Sequence, residues 1–296
     1  MSIAFFTEMS FIGKVPRNLP NMRTEFAWMV ALNSDHYNIN STPTKKYDLG
    51  IMIIPKNNPE FNLKELKHYC DKIAVMQEGP HWYFQDYPLK KQIKYYNTLT
   101  SSDIIFVHNK ADKIYYQGLT NHKDIRVMKS LMIEEAIGEV AKVERKGVII
   151  GGNFVNWYGG FDSYMVANSQ FDVVSAPTMG RKQEGEEQLV SLLPFMSWKE
   201  WIHKLNEFKI GVHLMRTHAA GTFALNCAYL GIPCIGYKGL DTQELCHPEL
   251  TVEVGNLGHA KELIKELNNN SGFYSECSKQ AIDNYNTHFH ELKFKI

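Results

Sequence analysis

Residues 209–236 read KIGVHLMRTHAAGTFALNCAYLGIPCIG, and this stretch decides the fold of the chain. A short apolar run is followed by a turn of small residues, an apolar helical pattern, a Gly-Ile-Pro turn and a second apolar run. This succession is typical of a strand, a helix and a second strand that lies parallel to the first. The stretch therefore predicts one unit of a parallel α/β sheet.

The same alternation extends from this unit towards both ends of the chain. In the first half the predicted strands are residues 3–7, 49–54, 73–77, 104–108 and 125–128. The pattern restarts near residue 147, and the second set of predicted strands is residues 148–152, 171–175, 189–193, 210–215, 232–237 and 251–254. Because the pattern occurs twice, we expect an α/β fold of two Rossmann-like domains, residues 1–145 and residues 146–296, facing each other across a cleft. A final helix near residues 274–285 could cross back onto the first domain.

Composition narrows the class of protein further. The net charge is zero and hydrophobic residues make up 44% of the chain, as in a globular protein rather than a strongly basic nucleic-acid binder. No apolar run reaches the roughly 18–20 residues that a membrane span needs, and the first residues do not resemble a signal peptide. The five cysteines contain no Cys-x-x-Cys pair, which favours reduced thiols over disulfides or a zinc site. The expected location is the cytoplasm.

The turn within residues 209–236 carries the strongest indication of a ligand. Gly221 precedes a predicted helix, so its backbone lets N–H groups approach an anion without a side chain in the way. Arg216 and His218 could add donors to a diphosphate, and Asn226, one helical turn further on, could bond to ribose hydroxyls. The same predicted site includes Ala220 and Thr222.

This stretch resembles the donor-binding element of GT-B glycosyltransferases, many of which carry the form E-G-F-G-x-x-x-x-E-A-x-A-x-G-x-P-V. Gly221 matches its second glycine, and Gly231 and Pro233 match the G-x-P. His218 and Asn226 stand where two glutamates are usual, so this chain departs from the pattern there. The resemblance covers the second half of the chain, and the first half only by architecture. It implies a GT-B fold and a nucleotide-sugar co-substrate, with a UDP-sugar as the first candidate and no cofactor.

Two residues after the first strand of the second domain belong to the same prediction. GT-B enzymes often place this loop against the donor phosphates or sugar, which assigns Gly152 and Asn153 to the donor site by resemblance. A plainer interpretation stays open for the whole stretch, in which glycine and proline only shape the turns of an ordinary crossover. In that case Arg216 is a surface arginine, His218 a neutral loop histidine and Asn226 a helix-lining residue.

The catalytic residues are expected in residues 76–88, MQEGPHWYFQDYP. An apolar strand runs directly into Glu78, whose pKa apolar surroundings would raise towards the value a general base needs. Asp86 and His81 are further candidates for the base, and Trp82 could stack on a sugar ring. The arrangement is similar to that of phage DNA-base glucosyltransferases, where an aspartate just after the equivalent strand is the base and Glu78 takes its place. Alternatively, this is a hydrophobic loop that closes the domain.

A long basic loop follows the first strand. Gly13, Lys14 and Arg17 lie in it and could hold a phosphorylated acceptor or a nucleic-acid backbone, or the loop could simply be solvated. Twelve histidines raise the question of a metal, but no set has ligand spacing, so the sequence predicts no metal site.

Together these observations predict a hexosyltransferase-type glycosyltransferase. It would move a sugar from the nucleotide donor to a hydroxyl acceptor, such as a glycan or a hydroxymethylated base in phage DNA, and in the phage case the enzyme would act in the host cytoplasm. Inverting or retaining chemistry and the oligomeric state stay open. Two other functions remain: a nucleotide-sugar epimerase on the same scaffold, and a non-catalytic two-lobed protein that binds nucleotide sugars.

Overall fold

The protein contains two parallel β-sheets, one from each half of the chain. The computed structural model describes residues 1–22, 24–55, 63–77, 79–178 and 183–296. No helix in these ranges is long and apolar enough to cross a membrane. The alternation of strands and helices predicted from the sequence is confirmed in both halves.

The first sheet has six strands in the order β2-β1-β3-β4-β5-β6, and all neighbours are parallel. The strands are β1 (Ile3–Thr7), β2 (Asp35–Asn38), β3 (Tyr47–Ile54), β4 (Cys70–Gln77), β5 (Ile104–Val107) and β6 (Ile125–Val127). The helices of this half are α1 (Thr24–Ala31), α2 (Leu63–Leu66), α3 (Leu89–Ser101), α4 (Lys110–Thr120) and α5 (Glu134–Ile137).

The second sheet also has six parallel strands, in the order β12-β11-β10-β7-β8-β9. Its strands are β7 (Val148–Ile150), β8 (Val174–Ala176), β9 (Ser191–Leu192), β10 (Ile210–His213), β11 (Cys234–Tyr237) and β12 (Thr251–Val252). The helices are α6 (Gly160–Ala167), α7 (Trp198–Leu205), α8 (Thr222–Leu230), α9 (Asp241–Cys246), α10 (Leu257–Asn269) and α11 (Ser271–His288).

Apolar residues on both faces of each sheet explain why the strands read as continuous apolar runs. Successive side chains of a strand point to opposite faces, so Phe5 packs in one cluster of the first half and Phe6 in the other. In β10, Val212 packs in one apolar cluster of the second half. A sheet covered by helices on both sides needs this pattern, because neither face meets water.

Strand β2 is the one strand of the described sheets that the sequence analysis did not predict. Its residues are Asp, His, Tyr and Asn, which do not form an apolar run. The structure buries His36 completely and satisfies its ring, with Nε2 at 2.8 Å from the Thr7 hydroxyl and Nδ1 at 2.8 Å from the Phe11 carbonyl. Hydrogen bonds from β1 and its loop therefore hold a strand that hydrophobic pattern could not reveal.

The connection between the two sheets runs from β6 to β7 and is anchored on the second half. Arg145 donates to the carbonyl oxygens of Leu230 and Gly231 and to Asn206 Oδ1 at 2.8 Å. The guanidinium thus satisfies carbonyl groups that the end of α8 leaves open. The proposed domain limit at residues 145 and 146 lies in this connection and stays a prediction.

The chain returns to the first half after its last long helix. Helix α11 packs chiefly on α8, α9 and α10 of the second half. Beyond it, Phe294 and Ile296 pack against the apolar cluster of the first sheet, and Glu291 pairs with Arg17 at 2.9 Å. The segment that follows α11 therefore connects the end of the second half to the first.

Candidate functional site

A cavity of about 330 Å³ lies between the two halves, where the carboxyl ends of both sets of strands meet. Strands of the first sheet and the residues just after them contribute Ile53, Met76, Gln77, Gly79 and His108. The second half contributes Gly151 after β7, His213 at the end of β10, and Met215. Open parallel sheets bind their ligands at this edge. The cavity is therefore the candidate active site.

The turn before α8 forms one wall of the cavity. Ala219, Ala220, Gly221 and Thr222 all line it, and Thr222 is the first residue of the helix. The first amides of an α-helix lack partners within the helix, and the helix dipole makes this end partly positive. An anionic group in the cavity would therefore meet backbone donors at this wall. Ala220, Gly221 and Thr222, which the sequence analysis assigned to the donor site, all line this wall, and their contact with a donor stays a prediction.

Gly221 is required at this turn for two separate reasons. Its φ of +64° lies in the left-handed region that other residues rarely adopt. A Cβ atom at this position would lie 2.1 Å from Thr242 Oγ1, which itself donates to the Gly221 carbonyl at 2.9 Å. Both conditions fix the path of the chain along the cavity wall.

Residues of the first half hold the same turn from the other side. Asn109 Nδ2 donates to the Ala219 carbonyl at 2.9 Å, and Ser130 Oγ donates to the Ala220 carbonyl at 2.7 Å. Asn109 Oδ1 also accepts from the backbone N–H of Asp241 at 2.9 Å. These bonds take up carbonyl groups of the turn, and they connect the two halves of the chain directly at the cavity.

The glycine-rich loop after β7 packs closely beside the cavity. A Cβ atom on Gly151 would lie 2.6 Å from the rings of His213 and Phe223, and one on Gly152 would lie 2.5 Å from the Tyr158 side chain. Asn153 is almost fully buried, and its Oδ1 accepts from the N–H of Val155 at 3.1 Å. Gly151 lines the cavity itself, while the donor contacts of Gly152 and Asn153 stay predictions.

His213 is a cavity residue to which the sequence analysis gave no role in the donor site. Its side chain is buried, and neither ring nitrogen has a hydrogen-bond partner among the described residues. Burial lowers the pKa of His213 to about 4, so the ring is neutral near pH 7. A neutral imidazole offers one donor and one acceptor, which matches a hydroxyl group. A histidine ending an apolar strand was the signal available in the sequence.

Helix α1 supplies a further part of the cavity wall, which sequence reasoning also missed. Thr24, Glu25 and Trp28 line the cavity. The Trp28 indole donates to the Lys129 carbonyl at 2.8 Å and stacks on His108 with ring centroids 5.7 Å apart. An aromatic residue in a helical pattern cannot be assigned to a cavity from sequence, because the same residue would serve a packed core equally well.

The predicted donor residues Arg216 and Asn226 already have partners within the protein. Arg216 is exposed and pairs with Asp162 at 2.8 Å, which raises the pKa of the guanidinium. Asn226 is buried; with its amide oriented to suit its surroundings, it donates to the Thr222 carbonyl at 3.0 Å and accepts from the Trp201 indole at 3.1 Å. A ribose bonded to Asn226 would compete with these contacts. Neither role is tested by the structure.

His218 faces the first half of the chain. Its Nδ1 lies 3.7 Å from Asp112 Oδ1, and the same carboxylate oxygen is 2.9 Å from Nδ1 of His81. Burial of Asp112 opposes ionisation, but hydrogen bonds from His81 and Asn109 outweigh it and hold the pKa of the carboxyl below its usual value. The three side chains thus form one polar cluster between the halves.

His81, Trp82 and Asp86 lie on the short 3-10 helix His81–Asp86. Asp86 is exposed, and Trp82 contacts Trp157 of the second half edge-on, with ring centroids 5.7 Å apart. Glu78 lies outside the described residues. Its two neighbours in sequence, Gln77 and Gly79, both line the cavity.

In the basic loop after β1, the side chains of Lys14 and Arg17 are both bonded to other groups of the protein. Gly13 exchanges backbone hydrogen bonds with His36 at 2.9 and 2.7 Å, and Lys14 Nζ donates to Asn33 Oδ1 at 2.5 Å. Arg17 binds Glu135 at 2.8 Å and Glu291 at 2.9 Å, and these bonds raise the pKa of its guanidinium. The sequence analysis left two alternatives for this loop, contact with a phosphorylated acceptor or nucleic-acid backbone, or plain solvation. Acids from distant segments compensate Arg17, and the loop's ligand contacts stay a prediction.

Comparison with solved structures relates this architecture to known proteins. An alpha-glucosyltransferase (AGT) in complex with UDP superposes with a TM-score of 0.67 at 11% identity, covering 99% of this chain and 97% of that one. Sucrose-phosphate synthase from Thermosynechococcus elongatus gives 0.68 at 10% identity, with 98% and 95% covered. S. aureus TarM, in a complex that includes UDP, gives 0.65 at 12% identity over 82% of this chain, which spans about half of TarM (53%).

The same alpha-glucosyltransferase in complex with UDP-glucose and DNA containing an abasic site matches with a TM-score of 0.61 at 12% identity, covering 99% of this chain and 96% of that one. No family model and no curated protein sequence matches the chain. At these identities the likeness concerns the fold. The chain has the GT-B fold, as the sequence analysis predicted.

Proposed function

We propose that the chain is a glycosyltransferase that transfers a sugar from a nucleotide-sugar donor, with a UDP-sugar as the first candidate, to a hydroxyl acceptor. One observation carries the proposal: the cavity between the two sheets is walled by the turn Ala219–Thr222 at the start of α8. A diphosphate needs such a wall of backbone donors. Solved structures of the same fold that contain UDP or UDP-glucose support the choice of donor.

The donor would lie with its diphosphate against the first turn of α8. The dipole of the helix stabilises negative charge, and it would do so most as the nucleoside diphosphate leaves. His213 faces the same cavity from the end of β10 and is neutral near pH 7. Its ring would bond to a sugar hydroxyl rather than pair with a phosphate, because a neutral ring carries no charge to offer. No cofactor is needed for this step.

The acceptor would enter from the first half of the chain. Glu78 stands in sequence between two residues that line the cavity, and we propose it as the base that takes the proton from the acceptor hydroxyl. The oxygen then forms a bond to the anomeric carbon, and the bond from that carbon to the diphosphate breaks. Asp86 is the second candidate for the base. A hydroxymethylated base in DNA and a glycan are the acceptors to be tried first.

Thermal unfolding in the presence of nucleotides and their sugars tests donor binding directly. We expect UDP and UDP-sugars to raise the melting temperature. The free energy of unfolding should rise by roughly 2.7 kcal/mol when the ligand concentration is 100 times its Kd. Neither free uridine nor phosphate should do so at the same concentration. If no uridine or guanosine diphosphate derivative stabilises the protein, the proposed function is wrong.

Turnover of the stabilising donor separates the enzyme from its alternatives. A transferase releases the nucleoside diphosphate faster when an acceptor such as hydroxymethylated DNA is added, whereas an epimerase converts the donor without any acceptor. We expect Glu78→Gln to lower the rate about 100-fold or more while UDP still binds, since a general base contributes at least that factor. Asp86→Asn tests the second candidate: if Asp86 is the base instead, this variant loses the rate and Glu78→Gln keeps it. Binding without turnover for every acceptor would instead support a binding protein.

A further inference from the structure

Three potential metal ligands from three distant segments meet between the halves of the chain. His81 follows β4, Asp112 lies in the first turn of α4, and His218 belongs to the turn that precedes α8. One ligand atom from each lies within 4.8 Å of the other two. The sequence analysis predicted no metal site because it looked for ligands close together along the chain, and these three are far apart.

The distances suit a small divalent ion. Asp112 Oδ1 is 2.9 Å from Nδ1 of His81 and 3.7 Å from Nδ1 of His218. In a tetrahedral zinc site with bonds of about 2.0–2.1 Å, neighbouring ligand atoms stand roughly 3.3 Å apart. These two separations lie on either side of this value; the third, between the two histidines, is within 4.8 Å and would shorten towards it when an ion binds.

The carboxylate of Asp112 is fixed with one oxygen directed at the histidines. Its Oδ2 accepts from the backbone N–H of Asn109 at 3.1 Å and from Asn109 Nδ2 at 2.9 Å. Only Oδ1 faces the two imidazole rings, and the side chain is nearly buried. Oriented ligands of this kind bind a metal more tightly than free ones, because less motion is lost on binding.

Both histidine rings are also held in place. The His81 ring packs on Tyr115 with centroids 4.2 Å apart, and the His218 ring lies so close to Gly239 that a Cβ there would be 2.1 Å from Nε2. Nδ1 of His218 is buried and has no hydrogen-bond partner among the described residues. An unsatisfied buried nitrogen costs stability, and a bound cation would remove that cost.

The charge around the cluster favours a cation. Besides Asp112, the negative charges of Asp241 and Glu244 favour a positive charge at His218. The positive charge of Lys110 lies near Asp241 and offsets part of this effect. The site thus offers two imidazole nitrogens and one carboxylate oxygen, with further carboxylates nearby.

We propose that His81, Asp112 and His218 bind a divalent transition-metal ion, with zinc as the first candidate. Water supplies the fourth ligand. Two ligands come from the first half and one from the turn that lines the candidate active site, so the ion joins the halves next to that turn. The proposal is independent of the proposed function, because it requires neither a sugar donor nor an acceptor.

Zinc binding to the whole protein tests the site. The metal-free chain is titrated with zinc in competition with a coloured chelator, and we expect one tight site per chain. His81→Gln and His218→Gln are each expected to weaken zinc binding about 100-fold or more, since even loss of a residue that only supports a ligand costs 10- to 100-fold. His259→Gln, an exposed histidine at the start of α10, is the control and should bind like the unchanged protein.

A second measurement separates metal binding from a change in folding. Zinc should raise the melting temperature of the unchanged protein and of His259→Gln, but not that of the double variant His81→Gln/His218→Gln. Cobalt in place of zinc should give the absorption of a tetrahedral site, which the double variant lacks. Equal zinc affinity in all variants, or no tight binding by the unchanged protein, would overturn the proposal.

Discussion

His213 combines the two properties expected of a ligand-binding histidine, burial and unused polar atoms. Its ring faces the cavity at the end of β10, and the described residues offer no partner to either nitrogen. A buried polar group without a partner destabilises the folded protein by about 1–3 kcal/mol. Such a cost is characteristic of groups that serve binding rather than folding, because the ligand supplies the missing hydrogen bonds.

The protonation of His213 makes the cost depend on pH. Its folded pKa of about 4 lies below the unfolded value near 6.5, so the unfolded chain binds more protons between these values. The stability that depends on a neutral His213 is therefore fully present above pH 6.5 and is lost as the pH falls towards 4. At pH 5 the loss from this residue amounts to about 2 kcal/mol. His247, also buried with a pKa lowered to about 4, acts in the same direction.

We expect His213→Phe to stabilise the protein and weaken donor binding together. Removal of the unsatisfied nitrogens should raise the free energy of unfolding, and the gain should be about 2 kcal/mol larger at pH 5 than at pH 7.5. Urea unfolding at both pH values measures the first effect, and titration with UDP-glucose measures the second. His259→Phe, at an exposed position, serves as the control. A variant with unchanged affinity and an unchanged pH profile would show that His213 has neither role.

Among the elements, the first turn of α8 bears most directly on function. The residues before it combine a left-handed glycine with carbonyl groups held by Asn109, Ser130 and Thr242. The backbone therefore has one path past the cavity. A rigid turn positions its amides before the ligand arrives, which lowers the entropy lost on binding.

We expect Gly221→Ala to abolish donor binding and to destabilise the protein. Alanine at positive φ costs about 1–2 kcal/mol, and its Cβ would also displace Thr242 from this turn. Gly255→Ala is the matched control, because Gly255 has a φ of +86° with nothing within 4 Å of the added Cβ. That variant should be destabilised only by the strain of its backbone, and it should bind UDP normally. Circular dichroism shows whether both variants fold, and equal UDP affinity in the two would contradict the assignment.

Elements whose limits are set by local chemistry could be predicted from the sequence. Helix α8 could be located from the sequence because Gly221 and Gly231, both at positive φ, bracket an apolar run. Strand β2 was missed because hydrogen bonds rather than apolar residues hold it, and β9 and β12 are shorter than predicted. Apolar residues do not mark the hydrogen-bonded ladder itself: Val190 and Leu193 flank β9 and are buried, whereas Val254, predicted in β12, is 52% exposed.

At the scale of the whole molecule, contacts between the halves could not be predicted. The cluster of His81, Asp112 and His218 joins residues that only the packing of the two sheets brings together. The spacing of residues along the sequence indicates local geometry, but it does not indicate which distant segments come into contact. The parallel sheets themselves could be predicted, because each strand and helix carries its own periodic signal. The lining of the cavity by α1 could not, since its residues look like an ordinary buried helix face.

The final segment of the chain should stabilise the first half rather than the second. Phe294 packs on the apolar cluster of the first sheet. We expect Phe294→Ala to lower the free energy of unfolding by about 1–2 kcal/mol, in keeping with a partly buried aromatic side chain. Leu292→Ala is the control from the same segment, because Leu292 is 81% exposed, and it should change stability by less than about 0.5 kcal/mol.

Hydrogen exchange locates the effect of Phe294→Ala. Amides of β1 should exchange faster in this variant, whereas amides of β10 should keep their protection, because β1 belongs to the sheet that the segment covers. Faster exchange confined to the second half would contradict this assignment.

Phe294 and Ile296 cover part of the apolar core of the first sheet, and this affects how the chain folds during translation. These two side chains are translated after the whole of the second sheet, well behind the half that they cover. Until they emerge from the ribosome, a nascent first half presents an uncovered apolar patch, the kind of surface that chaperones recognise. The first half would then complete its core only once the second half has been synthesised.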